Sequence, residues 1–377
     1  MAKMTVLGAG RVGEAIAWDL ARRGHSVRVV DAASGPLERI AARASVETVR
    51  ADLTSPAAIA EAVAGADVAI GALPSVLGLA ALKAVAQAGV HCVDISFMGE
   101  DPRVHDAIAR EHGVCAVVDC GVAPGMSHIL SGHAAAHMDR CDTLAIYVGG
   151  LPVARHAPYA YKAPFAPYDV LEEYTRPARV VVGGGVRVVE ALSGVEPLEV
   201  PGLGTLEAFT TDGLRTLVDT VAVPDMVEKT LRYPGHCALM LALRQTGLLG
   251  EAAIDVRGQS VVPRELLSAL LFPKWSFDER EPDLTFMRVE AKGEHQGRAV
   301  TWTWDLFDRY DPEANLRSMS RTTGFPAAII AELIASGGWR EPGVHPPEVL
   351  GQRGLLGQIL RAHEERGVYY AFSERVS

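Results

Sequence analysis

Met4-Thr5-Val6-Leu7-Gly8-Ala9-Gly10-Arg11-Val12-Gly13 is the stretch that decides the fold. A short apolar run enters a glycine turn of GxGxxG spacing, and Ala15-Ile16-Ala17-Trp18-Asp19-Leu20-Ala21 continues as a helix. Strand, glycine turn and helix in that order form the frame of a dinucleotide-binding unit. Gly8 permits the tight turn, Gly10 lets the backbone approach a pyrophosphate, and Gly13 lets helix and strand pack closely. Arg11 and Val12 complete the turn at a helix N-terminus, which favours phosphate charge. Ser26-Val27-Arg28-Val29-Val30-Asp31 reads as a second strand that ends in a carboxylate, at the expected spacing of about 20 residues. That carboxylate suits both ribose hydroxyls and repels a 2′-phosphate, so the cofactor expected is NAD rather than NADP.

Beyond this unit, strands are expected over 46–50, 67–72, 91–95 and 114–119, with helices over 37–43, 56–64, 77–88 and 102–112. Six apolar strands separated by helices predict an α/β Rossmann domain, a doubly wound parallel sheet. Ligands bind beyond the carboxyl ends of such strands. Gly8, Asp31, Asp52, Leu73, Pro74, Asp94 and Asp119 fall there. Asp52 either reaches the adenine amino group or caps the helix that starts near Ser55.

After Cys120 the pattern changes. Hairpins over 180–190 and 284–305, with helices over 214–221, 237–248 and 264–271, predict an α+β second domain on a mainly antiparallel sheet. Helices over 326–335 and 355–365 and a strand over 368–372 close the chain. The expected boundaries are 1–123, completed by 326–377, for the nucleotide domain, and 124–325 for a substrate-binding and dimerisation domain. The Pro- and Tyr-rich stretch 151–177 reads as a long functional or mobile loop.

The chain has 377 residues, 49% hydrophobic and 22% charged, with a net charge of -10. This suits a two-domain globular protein and argues against a nucleic-acid surface. No run is long and apolar enough for a membrane span, and strand one begins without a leader segment. Cys92, Cys115, Cys120, Cys141 and Cys237 form no CxxC pair, which suggests free thiols in a reducing cytoplasm and no metal site.

Val118-Asp119-Cys120-Gly121-Val122-Ala123-Pro124-Gly125-Met126 resembles the interdomain segment of the saccharopine dehydrogenase-like family. The stretch from Pro201 to Leu217, with Thr211-Asp212-Gly213-Leu214 at its centre, resembles the lysine 6-dehydrogenase branch. Glu228-Lys229-Thr230-Leu231-Arg232-Tyr233-Pro234-Gly235-His236, Ser318-Met319-Ser320-Arg321-Thr322-Thr323-Gly324-Phe325-Pro326 and Gly343-Val344-His345-Pro346-Pro347-Glu348 extend the likeness over nearly the whole chain. The resemblance implies two domains with the active site between them, a homodimer, and NAD-dependent oxidative deamination of the lysine ε-amine. The product is allysine, the 6-semialdehyde, which cyclises, and ammonia is released. The rival readings are saccharopine chemistry, oxidation of another ω-amine, and a non-catalytic NAD-sensing protein.

This reaction needs a neutral amine and a base for the hydrolytic water. Asp94 is the first candidate, or else it caps the loop before Glu100-Asp101. Asp119 faces the nicotinamide or binds turn amides, and Cys120 touches substrate or packs. His236 is a second acid/base candidate or a satisfied structural histidine. Arg232, in a fixed loop context, is expected to fork the substrate carboxylate, with Arg215 and Lys229 as further cations. Glu207 and Asp212 are candidates for the α-amine, although Asp212 also suits an Asp-Gly turn.

Overall fold

The computed structural model describes residues 1–165 and 167–376. Ala166, inside the expected loop, and Ser377, at the end of the expected C-terminal portion, lie outside the described residues. The chain forms two compact units. One is Met1–Ala136 with Ser320–Tyr369, and the other is His137–Met319 with the chain from Tyr370 onward.

The first unit carries Lys3–Leu7 (β1), Ser26–Asp31 (β2), Glu47–Arg50 (β3), Val68–Gly71 (β4), His91–Asp94 (β5), Cys115–Val117 (β6) and Gly343–His345 (β17). They lie in the order β17-β6-β5-β4-β1-β2-β3, and every pairing is parallel. The order reverses between β1 and β4, the switch point at which a doubly wound sheet binds nucleotides. Leu7, Val30, Ala69, Cys92 and Ala116 of the strands pack with Ile59, Leu82 and Val85 of the helices in one core cluster. This is the apolar character that a strand buried on both faces requires.

The second unit is built on a nine-stranded sheet. Its path joins Arg140–Pro152 (β7), Glu196–Val200 (β10), Gly204–Thr210 (β11), Asp225–Arg232 (β12), Asp283–His295 (β15), Arg298–Arg309 (β16) and Tyr370–Val376 (β18) in the order β10-β11-β12-β7-β15-β16-β18. Ala178–Val182 (β8) and Gly185–Val189 (β9) form a side hairpin on β12. Ile254–Val256 (β13) and Gln259–Val261 (β14) make a separate two-stranded ribbon. β12 and β7 run parallel and the other pairings are antiparallel, so the sheet is mixed and mostly antiparallel.

Three details differ from the sequence-based expectation. The helix Met126–His137 clusters with the first unit over all but its last residue, because Gly132 packs directly on the backbone of Glu348 there. The final strand pairs with β16 over Val300–Leu306, so it belongs to the second unit's sheet and does not complete the nucleotide domain. The stretch 151–177 contains the helix Pro167–Thr175, and Tyr161, Tyr174 and Val170 are buried in the second unit's core. Those aromatic side chains are what the long polar-looking loop hides.

Ser318–Ala335 is one continuous helix with Pro326 inside it, where a helix was expected to begin only at 326. Asp283 anchors its start, accepting from the Ser318 and Met319 amides at 2.7 and 3.1 Å. These are orphan donors of a helix first turn. Among the described residues no helix is long and apolar enough to cross a membrane.

Candidate functional site

In the first unit, Gly8 has φ 104°, and a side chain there would overlap the Ala72 carbonyl. A side chain on Gly13 would overlap the carbonyl of Gly8 itself. Gly10, by contrast, opens onto free space where a phosphate can approach. The Gly8 amide donates to the Val30 carbonyl at 2.8 Å. Asp31 accepts from the Ala9 amide through Oδ2 at 2.7 Å and from the Ala33 amide through Oδ1 at 2.8 Å. Each carboxylate oxygen keeps a lone pair for a ribose hydroxyl. Arg11 and Val12 open the helix Arg11–Arg22, whose N-terminus follows the glycine turn directly. These residues fit the pyrophosphate and ribose of a dinucleotide.

Beyond β4, Leu73 accepts from the Ser96 hydroxyl at 3.1 Å, and Pro74 precedes the helix Ser75–Gln87. Asp52 does not cap the helix that follows it. Its Oδ1 accepts from the Thr54 amide and hydroxyl at 3.0 and 2.8 Å, which lowers its pKa, while Ser55 caps the following helix.

Asp94 ends β5 and is 1% exposed. Its Oδ2 lies so close over Gly71 that any side chain at 71 would collide with it, and its Oδ1 accepts from the Ser96 amide at 2.6 Å. Burial pushes its pKa up to about 7, against the Ser96 hydrogen bonds, with the nearby Asp119 carboxylate adding to the rise. Asp119 is buried at φ 51°. The amide of Cys120 donates to the Asp94 carbonyl at 2.9 Å. Burial, then the charges of Asp94 and Asp119, push the Cys120 thiol well up, so it is protonated and packed rather than nucleophilic.

In the second unit, the side chains expected to hold substrate make contacts of their own. Arg232 is 2% exposed. Its Nε donates to the Tyr174 hydroxyl at 3.0 Å and its Nη1 to the Leu231 carbonyl at 2.9 Å, and its Nη2 pairs with Glu173 and reaches the Tyr161 hydroxyl at 3.4 Å. The guanidinium carbon lies 4.3 Å from the Tyr161 ring centre. Burial works against this charge, but Glu173 and the two phenols outweigh it and raise the pKa. The fork expected for a substrate carboxylate is occupied by Glu173.

His236 joins the same chain. Its Nδ1 lies 2.9 Å from the Tyr159 carbonyl, which can only accept, so Nδ1 carries the proton. Its Nε2 therefore accepts from the Tyr174 hydroxyl at 2.9 Å, and that hydroxyl accepts from Arg232. Burial, reinforced by the Arg232 charge, drives the imidazole pKa down to about 3. His236 is thus held neutral, with both ring nitrogens engaged inside the second unit's core.

The remaining candidates are also engaged. Glu207 accepts from the Gly235 and Cys237 amides at 2.9 and 3.1 Å, capping the helix His236–Gln245. Asp212 is bridged by Arg179 through Nε and Nη2 at 2.9 and 3.3 Å. Lys229 donates to the Gly194 carbonyl at 2.7 Å and pairs with Glu196 at 2.8 Å. Arg215 is buried at φ 48°, ahead of the helix Leu217–Thr220.

Residues 4–117 match the model of the saccharopine dehydrogenase NADP binding domain, and residues 121–368 match that of the saccharopine dehydrogenase C-terminal domain. The chain belongs to the saccharopine dehydrogenase family. It is 23% identical over 385 residues to carboxyaminopropylagmatine dehydrogenase of Synechocystis sp., covering 95% of each chain. It is also 23% identical to the mitochondrial alpha-aminoadipic semialdehyde synthase of Rattus norvegicus, over 83% of this chain but 36% of that longer protein. The structure of apo saccharopine dehydrogenase (L-Glu forming) from Saccharomyces cerevisiae shares the fold over 100% of both chains, with a TM-score of 0.81 at 17% identity. The protein is thus a nucleotide-binding oxidoreductase of this family, whose members act on amino-acid-derived substrates.

One buried acid of this saccharopine dehydrogenase family member escapes a reading by residue type. Glu228 accepts from the Thr211 hydroxyl at 2.5 Å, and Thr211 meets the Thr230 hydroxyl at 2.8 Å. Burial raises the Glu228 pKa to about 8. Its strand parity with Thr230 and Arg232 was a usable signal, since residues two apart share a face. Glu173 gave none, because it lies in the stretch taken for a loop.

Two outcomes follow from the second unit. Arg232→Ala leaves the half-buried Glu173 without its cation and should lower unfolding free energy by roughly 2–3 kcal/mol in urea titrations, less than for a fully buried pair. Wild-type stability would place the guanidinium outside the pair. Glu228 holds a proton in the native state that the unfolded chain releases above the ordinary carboxylate range, so its contribution to stability falls as pH rises toward about 8. Glu228→Gln should flatten that decline in urea midpoints measured across this range, and an unaltered slope would show that Glu228 is already ionised.

Proposed function

We propose that the protein is an NAD-dependent dehydrogenase that oxidises the ε-amine of L-lysine to the 6-semialdehyde with release of ammonia. The observation that carries the reading is Asp94, a buried carboxyl at the carboxyl end of the strand next to β4, with its pKa raised to about 7. In a doubly wound sheet the dinucleotide extends across the strand ends from the glycine turn, so β5 lies on the nicotinamide side. NAD supplies the hydride acceptor. The amine R–CH2–NH2 loses hydride and becomes the iminium R–CH=NH2+. Water then adds, a proton leaves to a base, and ammonia departs to give R–CHO.

Asp94 suits the base. An ordinary carboxylate, with a pKa near 4, is too weak to take a proton from water attacking the iminium, whereas one near neutrality is matched to the task. Asp31 supports NAD as the cofactor, because its carboxylate stands where a 2′-phosphate would bring a second negative charge. The lysine assignment draws on the Thr211-Asp212-Gly213-Leu214 likeness. A second reading, an N-substituted amine of the saccharopine type, is favoured by relatives named for saccharopine and carboxyaminopropylagmatine.

The deciding measurement is NADH formation at alkaline pH with L-lysine, L-ornithine, saccharopine and a polyamine, with ammonia assayed in parallel. Lysine turnover with equimolar ammonia is the expected result. Turnover of saccharopine alone, with glutamate in place of ammonia, would overturn the lysine assignment. Asp94→Asn should lower kcat by about 10²-fold or more and abolish the rise of rate as pH passes about 7, with NAD affinity retained. A preserved rise near pH 7 would remove Asp94 as the base.

A further inference from the structure

The parallel register of β2 and β3 sets Asp31 directly beside Arg50. Paired residues on neighbouring strands lie about 5 Å apart, with their side chains on one face of the sheet. Yet the two do not form an ion pair. Asp31 turns toward the glycine turn and accepts from the Ala9 amide. Arg50 is exposed, and its Nε donates to the Ala32 carbonyl at 3.0 Å, which lays the guanidinium across the first residue after β2. Its two terminal nitrogens make no hydrogen bond or ion pair among the described residues. The neighbouring carboxylates are committed elsewhere: Asp52 to Thr54, and Glu47 to Arg28 at 3.1 Å.

A guanidinium is therefore held in a defined place by a backbone carbonyl, without being neutralised, beside the carboxylate that meets the adenosine ribose. We infer that Asp31 and Arg50 read the ribose 2′ position together, and that Arg50 gives the protein a weaker, secondary affinity for NADP. The inference rests on the nucleotide reading of the glycine turn and extends it. A 2′-hydroxyl is accepted by Asp31 and leaves Arg50 uninvolved. A 2′-phosphate is repelled by Asp31 and attracted by Arg50, whose planar fork matches its oxygens. Preference for NAD is then the difference between two opposed charges, and either one can be removed separately.

Calorimetric titration of NAD and NADP without any amine tests this on the wild type, Arg50→Ala, Asp31→Asn and the double variant. Arg50→Ala should weaken NADP binding about tenfold or more and leave NAD within about twofold, a difference of the size of one charge-assisted contact. Asp31→Asn should tighten NADP about tenfold, and the double variant should lose that gain. NADP affinity should also fall more steeply with salt in the wild type than in Arg50→Ala. An unchanged NADP-to-NAD ratio in Arg50→Ala, in both the wild-type and Asp31→Asn backgrounds, would overturn the inference. Failure of the wild type to bind NAD at all would instead overturn the nucleotide reading, and would do so for every variant alike. Retained NAD affinity in Arg50→Ala serves as the control for folding.

Discussion

The hydrogen bond from the Ala9 amide to the Asp31 carboxylate, with the Gly8 amide on the Val30 carbonyl, pins the glycine turn to β2. The rest of the strand-end architecture depends on that position. Gly8 then sits against the Ala72 carbonyl with no room for a side chain, and Gly13 sits against Gly8 in the same way. One strand further on, the carboxyl of Asp94 fills the space over Gly71. A line of contacts without spare volume thus runs from β2 through β1 and β4 to β5. Its end is a carboxyl removed from water, which is why Asp94 titrates near neutrality rather than in the ordinary range.

The second unit manages its buried charge by a different route. Glu173, Arg232, Tyr174, His236 and the Tyr159 carbonyl form one continuous chain in which each donor has a defined acceptor. Desolvating a guanidinium is costly, and the surrounding phenols and carboxylate offset that cost only because all are present together. The chain also crosses the second unit's core from β12 to the helix Pro167–Thr175 and the helix His236–Gln245. It orients the aromatic cluster of Tyr161, Trp275 and His236, whose rings meet at 5.1–6.3 Å. Residues that look like substrate ligands by type here make ion pairs and hydrogen bonds within the unit itself.

Legibility followed the range of the interactions involved. The parallel sheet was readable because each strand is an apolar run bounded by turns, and because the GxGxxG spacing lies within six consecutive residues, although Gly8 itself meets Ala72 from a distant strand end. The hairpin β15–β16 was readable from alternation, which buried and half-exposed faces impose. Pro326 misled, since a proline normally ends a helix, whereas Ser318–Ala335 runs through it. The two-charge arrangement at Arg50 was invisible in one dimension, because Asp31 and Arg50 meet only through strand register.

Readable from the sequence were the Rossmann frame, the family, and Asp31 as the carboxylate that ends the second strand beside the glycine turn. Each of these rests on local spacing or on a motif whose chemistry is carried by adjacent residues. Which polar side chains pair with one another came from the tertiary structure. Glu173 reaches Arg232 across 59 positions of sequence and Arg179 reaches Asp212 across 33. Pairing of that kind depends on where folding brings the groups together and how much water it leaves them. The same removal of water raises Asp94 and Glu228 while lowering His236, a sorting that residue identity cannot foretell.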